Sequence, residues 1–164
     1  MSGFTLRPGT AADAAAVLAL NNASVPHVND LSADVLAQIV AMSAHYMVAE
    51  DAEGILGFVI CIASGRSYWS DNYRWFAERY EDFLYLDRVA VDPRAQRRGV
   101  GRALYADLHA RAAGQWPRIA LEVNHRPPNY VSVAFHAAMG YSRVGLRVYN
   151  DGANAVEMFV RELG

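Results

Sequence analysis

The sequence predicts an α/β (α+β) fold: a mixed, mostly antiparallel central sheet of about seven strands flanked by about four helices, in a single domain over residues 1–164. Three observations carry it. Apolar runs recur in the order strand, helix, helix, three strands, helix, strand, helix, two strands. Two turns, Asp51-Ala52-Glu53-Gly54 and Asp151-Gly152, are hairpin signals, which join antiparallel neighbours. Residues 83–113 read as a β-branched strand, an arginine-bearing loop and a long amphipathic helix whose head carries Gly99-Val100-Gly101.

The elements follow in order. Phe4-Thr5-Leu6-Arg7 is a short strand stopped by Pro8-Gly9, and Thr10 with Asp13 three positions on can cap a helix carrying Ala14, Val17, Leu18 and Leu20. Residues 21–30, with Pro26 and many polar side chains, break the pattern as a loop. Ser32 opens a second helix bearing Val35, Leu36, Ile39, Val40 and Met42. Two strands flank the Asp51 turn, and Gly57 inside the second marks a bulge or a close backbone approach. Residues 68–80 hold six aromatic side chains, Tyr68, Trp69, Tyr73, Trp75, Phe76 and Tyr80. They fit either a short helix packing an aromatic face on the sheet or the wall of a small-molecule pocket. After the long helix, residues 118–124 form a strand, Asn129 caps a helix ended by Gly140, and two strands surround Asp151-Gly152.

Composition narrows the function. With 53% hydrophobic and 20% charged residues the chain is an ordinary globular protein, and a formal charge of −2 offers no global field for nucleic acid. All fifteen basic residues are arginine, a bias that leaves every fixed positive charge able to grip a phosphate with two hydrogen bonds. The single cysteine, Cys61, excludes an intrachain disulfide, sits in an apolar run as a small hydrophobe, and fits a reducing compartment. The beginning of the chain lacks a basic-then-apolar signal layout and the longest apolar run, residues 55–63, is too short to span a bilayer, so a cytoplasmic location without membrane attachment is expected.

The chemistry converges on the glycines. A helix N-terminus carries unpaired amides and partial positive charge, so a glycine-lined one is an anion site, and Arg94, Arg97, Arg98 and Arg102 crowd around it. A P-loop is excluded because Gly101 is followed by Arg102-Ala103 rather than lysine and a hydroxyl residue. A dinucleotide fingerprint is excluded because Leu104 holds its third glycine position and seven residues separate strand from Gly99. What survives is Gln96, two residues, Gly99, one residue, Gly101.

This pattern resembles the signature of the GNAT superfamily of acyl-CoA-dependent N-acetyltransferases. Val89-Ala90-Val91-Asp92-Pro93 is similar to the strand end that precedes it there, and Asn129, Ser132, His136, Gly140 and Tyr141 follow the spacing of the second cofactor segment. The resemblance implies a splayed, V-shaped cleft and acetyl-CoA as cosubstrate, with no metal. It implies that the amides of Arg97, Arg98, Gly99, Val100, Gly101 and Arg102 bind the coenzyme A pyrophosphate, and that Val89, Ala90 and Val91 pair with the pantetheine arm. The reaction implied is direct attack of a primary amine of a small molecule or peptide on the thioester.

The usual acid of the family is a tyrosine, where this chain has His136; Tyr141 is the reserve. As base, Asp87 comes first, on the strand face shared with Tyr85 and Val89, and Glu122 second; for each the alternative is a structural pairing with an arginine. Asp30, Tyr68, Trp69 and Tyr73 are candidates for holding the amine. A non-catalytic acyl-CoA sensor of the same fold is the rival reading, resting on the missing tyrosine, and a homodimer through the C-terminal strands is plausible by resemblance.

Overall fold

The computed structural model describes residues 3–26 and 28–164; residue 27, inside the predicted loop, lies outside them. Among the described residues seven strands and five α-helices follow the predicted order, with one helix more than the sequence pattern counted. They are β1 (Thr5–Pro8), α1 (Ala14–Ala23), α2 (Ala33–Met42), β2 (His45–Asp51), β3 (Gly54–Ala63), α3 (Asp71–Ala77) and β4 (Leu84–Val91), then α4 (Val100–Ala112), β5 (Arg118–Arg126), α5 (Tyr130–Ala138), β6 (Ser142–Tyr149) and β7 (Asn154–Glu162). The added helix is α3. Ser70 caps it by accepting the Tyr73 amide at 3.2 Å, and its turns bury Tyr73 and Phe76.

The chain forms two compact units, Met1–Ile62 with Leu86–Arg111 and Ala63–Tyr85 with Ala112–Gly164, so β4 contributes to both. Strand order is β1-β2-β3-β4 in the first and β4-β5-β7-β6 in the second. The β1–β2, β2–β3, β5–β7 and β6–β7 pairs are antiparallel, while β4 meets β5 in parallel at Leu84↔Ile119 and Tyr85↔Ala120. Both predicted hairpins form, with Asp51 opposite Gly54 and Tyr149 opposite Asn154. At the second, Asn150, Asp151 and Gly152 all have positive φ, which explains the choice of residues.

In the first unit, α1 and α2 bury Val17, Leu20, Leu36 and Ile39, and Ser32 caps α2 by accepting the Val35 amide. Arg7 joins β1 to the start of α1 through Asp13 and to β2 through Glu50, each at 2.8 Å. Cys61 is fully buried, and burial pushes its thiol well up, so it is an inert core side chain.

At Gly57 the predicted close approach is realised, and a β-bulge falls opposite it, between Ala49 and Glu50. A Cβ at Gly57 would lie 3.0 Å from the Ala90 carbonyl oxygen, 3.1 Å from Val100 Cγ1 and 3.3 Å from Leu104 Cδ1. The missing side chain therefore seats the end of β4 and the head of α4. Gly57→Ala is expected to cost about 1–3 kcal/mol, because one of its contacts is backbone that has nowhere to go. Urea unfolding should show a lower midpoint at unchanged slope; an unaltered midpoint would mean the packing yields freely.

Candidate functional site

The first unit carries the arginine- and glycine-bearing loop between β4 and α4. Asp92 ends β4, donating its amide to Leu56 O at 2.7 Å and accepting the Arg94 amide on its carboxylate at 2.9 Å. Pro93, Arg94 and Ala95 make one 3-10 turn, with Ala95 buried as its anchor. Arg97 has φ +65 and Gly99 φ +80, two left-handed residues that turn the backbone into the helix. The helix starts at Val100, two residues later than the sequence suggested, and its first closed turn runs from the Ala103 amide to Gly99 O at 2.9 Å. The amides of Val100, Gly101 and Arg102 therefore precede the helical ladder.

The backbone at the two glycines is uncrowded. A Cβ on Gly99 would meet nothing within 4 Å, and one on Gly101 would meet only Val91 Cγ2 at 3.8 Å. Glycine is not needed at position 101 for packing, so the clearance itself is the feature. The four arginines divide. Arg94 pairs with Glu53 at 2.8 Å and Arg98 with Asp51 at 3.1 Å, tying the loop to the β2–β3 turn. Arg97 and Arg102 are exposed and enter no ion pair among the described residues, which leaves them for a ligand. Gln96 is exposed at the loop's corner, and its amide bonds Pro93 O. Val89, Ala90 and Val91 lead into the loop as the end of β4.

Asp87 lies on the same strand, and its arginine alternative is what the structure holds. Arg88 Nε donates to Asp87 Oδ2 at 2.7 Å, with both side chains at most 5% exposed. Arg88 also donates to Asn21 Oδ1 at 3.0 Å and Asn29 Oδ1 at 3.1 Å, so the pair pins the α1–α2 connection. Asp30, in that connection, is exposed.

The second unit presents the other candidates. Glu122, in β5, accepts the Tyr85 hydroxyl at 2.7 and 2.8 Å and the Asn72 side-chain amide at 3.0 Å. Asn72 in turn accepts Arg147 Nε at 2.7 Å. The orientation of Asn72 is chemically fixed, since a carboxylate requires its NH₂ and a guanidinium its oxygen. Sequence reading missed Asn72 and Arg147, which lie on α3 and β6.

Asn129 caps α5 by accepting the Ser132 amide at 3.2 Å, and the helix delivers His136 to a buried position. His136 Nδ1 lies 2.7 Å from Ser132 O. A carbonyl only accepts, so Nδ1 carries the proton and Nε2 of the neutral ring carries a lone pair. Burial lowers the His136 pKa below its ordinary value, partly offset by that hydrogen bond, and favours the neutral ring. Tyr141 is buried just before β6, its ring edge-on to His136 at 5.5 Å between centroids.

The aromatic candidates are mostly core. Tyr68 and Tyr73 are buried, and Tyr73 donates to Ala63 O at 2.7 Å while accepting the Arg66 amide at 3.0 Å. Trp69 is 49% exposed and touches Tyr68 edge-on at 4.9 Å. The short helix with an aromatic face thus accounts for Tyr73 and Phe76, while Tyr68 is buried ahead of it and Trp69 is left outward. Among the described residues no cluster of His, Cys, Asp and Glu is arranged to hold a metal, and no helix is long and apolar enough to cross a membrane.

No curated protein matches the chain by sequence. Solved structures share the fold. The ribosomal-protein-S18-alanine N-acetyltransferase of Escherichia coli is 18% identical with TM-score 0.74, covering 98% of this chain and 94% of its own. Naa20 of Chaetomium thermophilum, solved with a bisubstrate analogue, is 24% identical with TM-score 0.76, covering 96% and 86%. Ard1 of Thermoplasma volcanium is 20% identical with TM-score 0.74, covering 98% and 97%. The acetyltransferase (GNAT) domain family matches residues 15–162, nearly the whole chain and every candidate site residue, and the chain belongs to that family.

Proposed function

We propose that the chain is an acetyl-CoA-dependent N-acetyltransferase, acting as one domain on a primary amine of a small molecule or peptide. The observation that carries this reading is the uncrowded backbone at Gly99 and Gly101, where the amides of Val100, Gly101 and Arg102 precede the helical ladder. Donors fixed in the backbone bind a pyrophosphate without reorganising, and the helix terminus adds its partial charge. Arg97 and Arg102 supply movable charge beside them. Val89, Ala90 and Val91 offer strand edges to the pantetheine arm. Acetyl-CoA, when bound, supplies an acyl thioester, which a neutral amine attacks directly.

The amine must first lose a proton, and the two carboxylates are not equivalent for that task. Asp87 is held by a buried guanidinium, whereas Glu122 is oriented by neutral donors, Tyr85 and Asn72. Glu122, oriented by the Tyr85 hydroxyl and the Asn72 carboxamide, is the base on this reading. Returning a proton to the thiol demands little, since a thiolate is a weak base. A neutral His136 protonated on Nδ1 has no proton at Nε2 to give, so it serves as an acid only as the imidazolium that burial disfavours. Tyr141 is the second donor.

Release of free thiol from acetyl-CoA across an amine panel tests the activity and separates it from a sensor, which binds coenzyme A without turnover. Glu122→Gln should lower kcat roughly 10²–10³-fold, most steeply below the pKa of the amine. Asp87→Asn should instead cost on the order of 1–3 kcal/mol of stability, by weakening the partner of buried Arg88, and should leave the shape of the rate–pH curve. The reverse pattern would return the base to Asp87.

The pH dependence tests His136. An imidazolium acid whose pKa is depressed below 6.5 is lost as pH rises through that depressed pKa, so a His136-driven rate would decline at a pH below 6.5. With His136 neutral, kcat should climb with pH as the amine deprotonates. A decline centred below pH 6.5 and absent from His136→Gln would restore the histidine as acid.

A further inference from the structure

Arg147 is a half-buried cation without a protein anion. Among the described residues no ion pair joins it to a carboxylate, although Arg143 on the same strand pairs with Glu157 at 3.5 Å. Its direction is set by the sheet. Arg147 is opposite Val156, which is opposite Asn124; Gly145 is opposite Met158, which is opposite Glu122. Cross-strand partners share a face, so Arg147 and Gly145 project to the face that carries Glu122. Over that face lies α3, whose Trp75 fills the space a Cβ at Gly145 would need, 2.5 Å from its Cζ2, and whose Asn72 reaches Arg147 one helical turn away.

Two contacts fix the guanidinium. Nε is committed to Asn72, and Cζ lies over the Tyr149 ring, 4.6 Å from its centroid. A guanidinium held through Nε keeps its two terminal nitrogens as a planar fork, the geometry that matches a carboxylate with two parallel hydrogen bonds. Leaving such a charge half-buried without an anion is costly, and a ligand that brings one recovers that cost. Glu122 is one carboxamide away along the Arg147–Asn72–Glu122 chain. An amine held at Glu122 and a carboxylate held at Arg147 are then two ends of one short molecule.

Resting on the acetyltransferase reading with Glu122 as base, we infer that Arg147 selects the acceptor by recognising a carboxylate borne by the same molecule as the reacting amine. The carboxylate belongs to a free amino acid or to an acidic side chain near a peptide N-terminus, and Arg147 reads the anion in either case.

The test compares matched pairs. In kinetics, amino acids are set against their primary amides, and peptides with glutamate at the second position against peptides with glutamine there. In calorimetry, N-acetyl amino acids and their amides are titrated into the full chain in the presence of coenzyme A. Wild type should favour the carboxylate member by roughly ten- to hundredfold in kcat/KM or in affinity. Arg147→Gln should bring that ratio to about one, with Arg147→Lys between, since a point charge lacks the fork. Any effect of the variants on Glu122 through Asn72 falls on both members of a pair and cancels in the ratio.

Preference confined to the free amino acids, or to the peptides, names the source of the carboxylate. Equal use of acid and amide by wild type, or a preference that survives in Arg147→Gln, overturns the assignment. Absence of turnover with every amine would count against the acetyltransferase reading instead, and the calorimetric ratio would still decide the role of Arg147.

Discussion

Gly57 lets β3 pass so close to the Ala90 carbonyl, Val100 and Leu104 that no side chain fits at that point, and the first unit is arranged around this approach. With the end of β4 and the head of α4 seated there, the eight residues 92–99 have a short span to cross. They do so by a 3-10 turn, then left-handed backbone at Arg97 and Gly99, with Arg94 and Arg98 anchored on acids of the β2–β3 turn. The result is a helix that begins with three amides ahead of its hydrogen-bond ladder, beside two uncrowded glycines. A loop held this firmly spends little ordering free energy when an anion arrives.

The second unit solves a different problem, a carboxylate in the middle of a strand. Glu122 accepts from a phenol and a carboxamide, and Arg147 is held one residue further out, on the oxygen of that carboxamide. Interposing Asn72 keeps the two charges from neutralising each other in a direct ion pair. Asp87, by contrast, is paired directly with Arg88.

Much of this was legible in the chain. The Gln96, Gly99 and Gly101 spacing marked the loop, the interrupted strand at Gly57 marked the close approach, and Asn129 and Ser32 marked the helix starts they cap. What was not legible depends on tertiary neighbours. Alternation along β4 puts Asp87 and Arg88 on opposite faces, yet Arg88 Nε reaches its neighbour, a pairing the alternation does not record. Asn72 and Arg147 are 75 positions apart and meet only because α3 covers β6. The aromatic run between β3 and β4 fitted a helix or a wall equally well, and only the occupied hydroxyl of Tyr73 shows it to be largely core. The tautomer of His136 is likewise set by a carbonyl one helical turn back, which no motif records.

The central claim is that the clearance at Gly101, rather than a shape requirement of the fold, marks the coenzyme site. Calorimetric titration of coenzyme A and of pantetheine into wild type and Gly101→Leu tests it most directly. The account predicts that coenzyme A binds wild type far more tightly than pantetheine, which lacks the pyrophosphate. It predicts that the leucine variant loses at least tenfold in coenzyme A affinity while its unfolding midpoint stays level or rises, since glycine is the poorer helix former. Undiminished binding by a folded Gly101→Leu protein would contradict it.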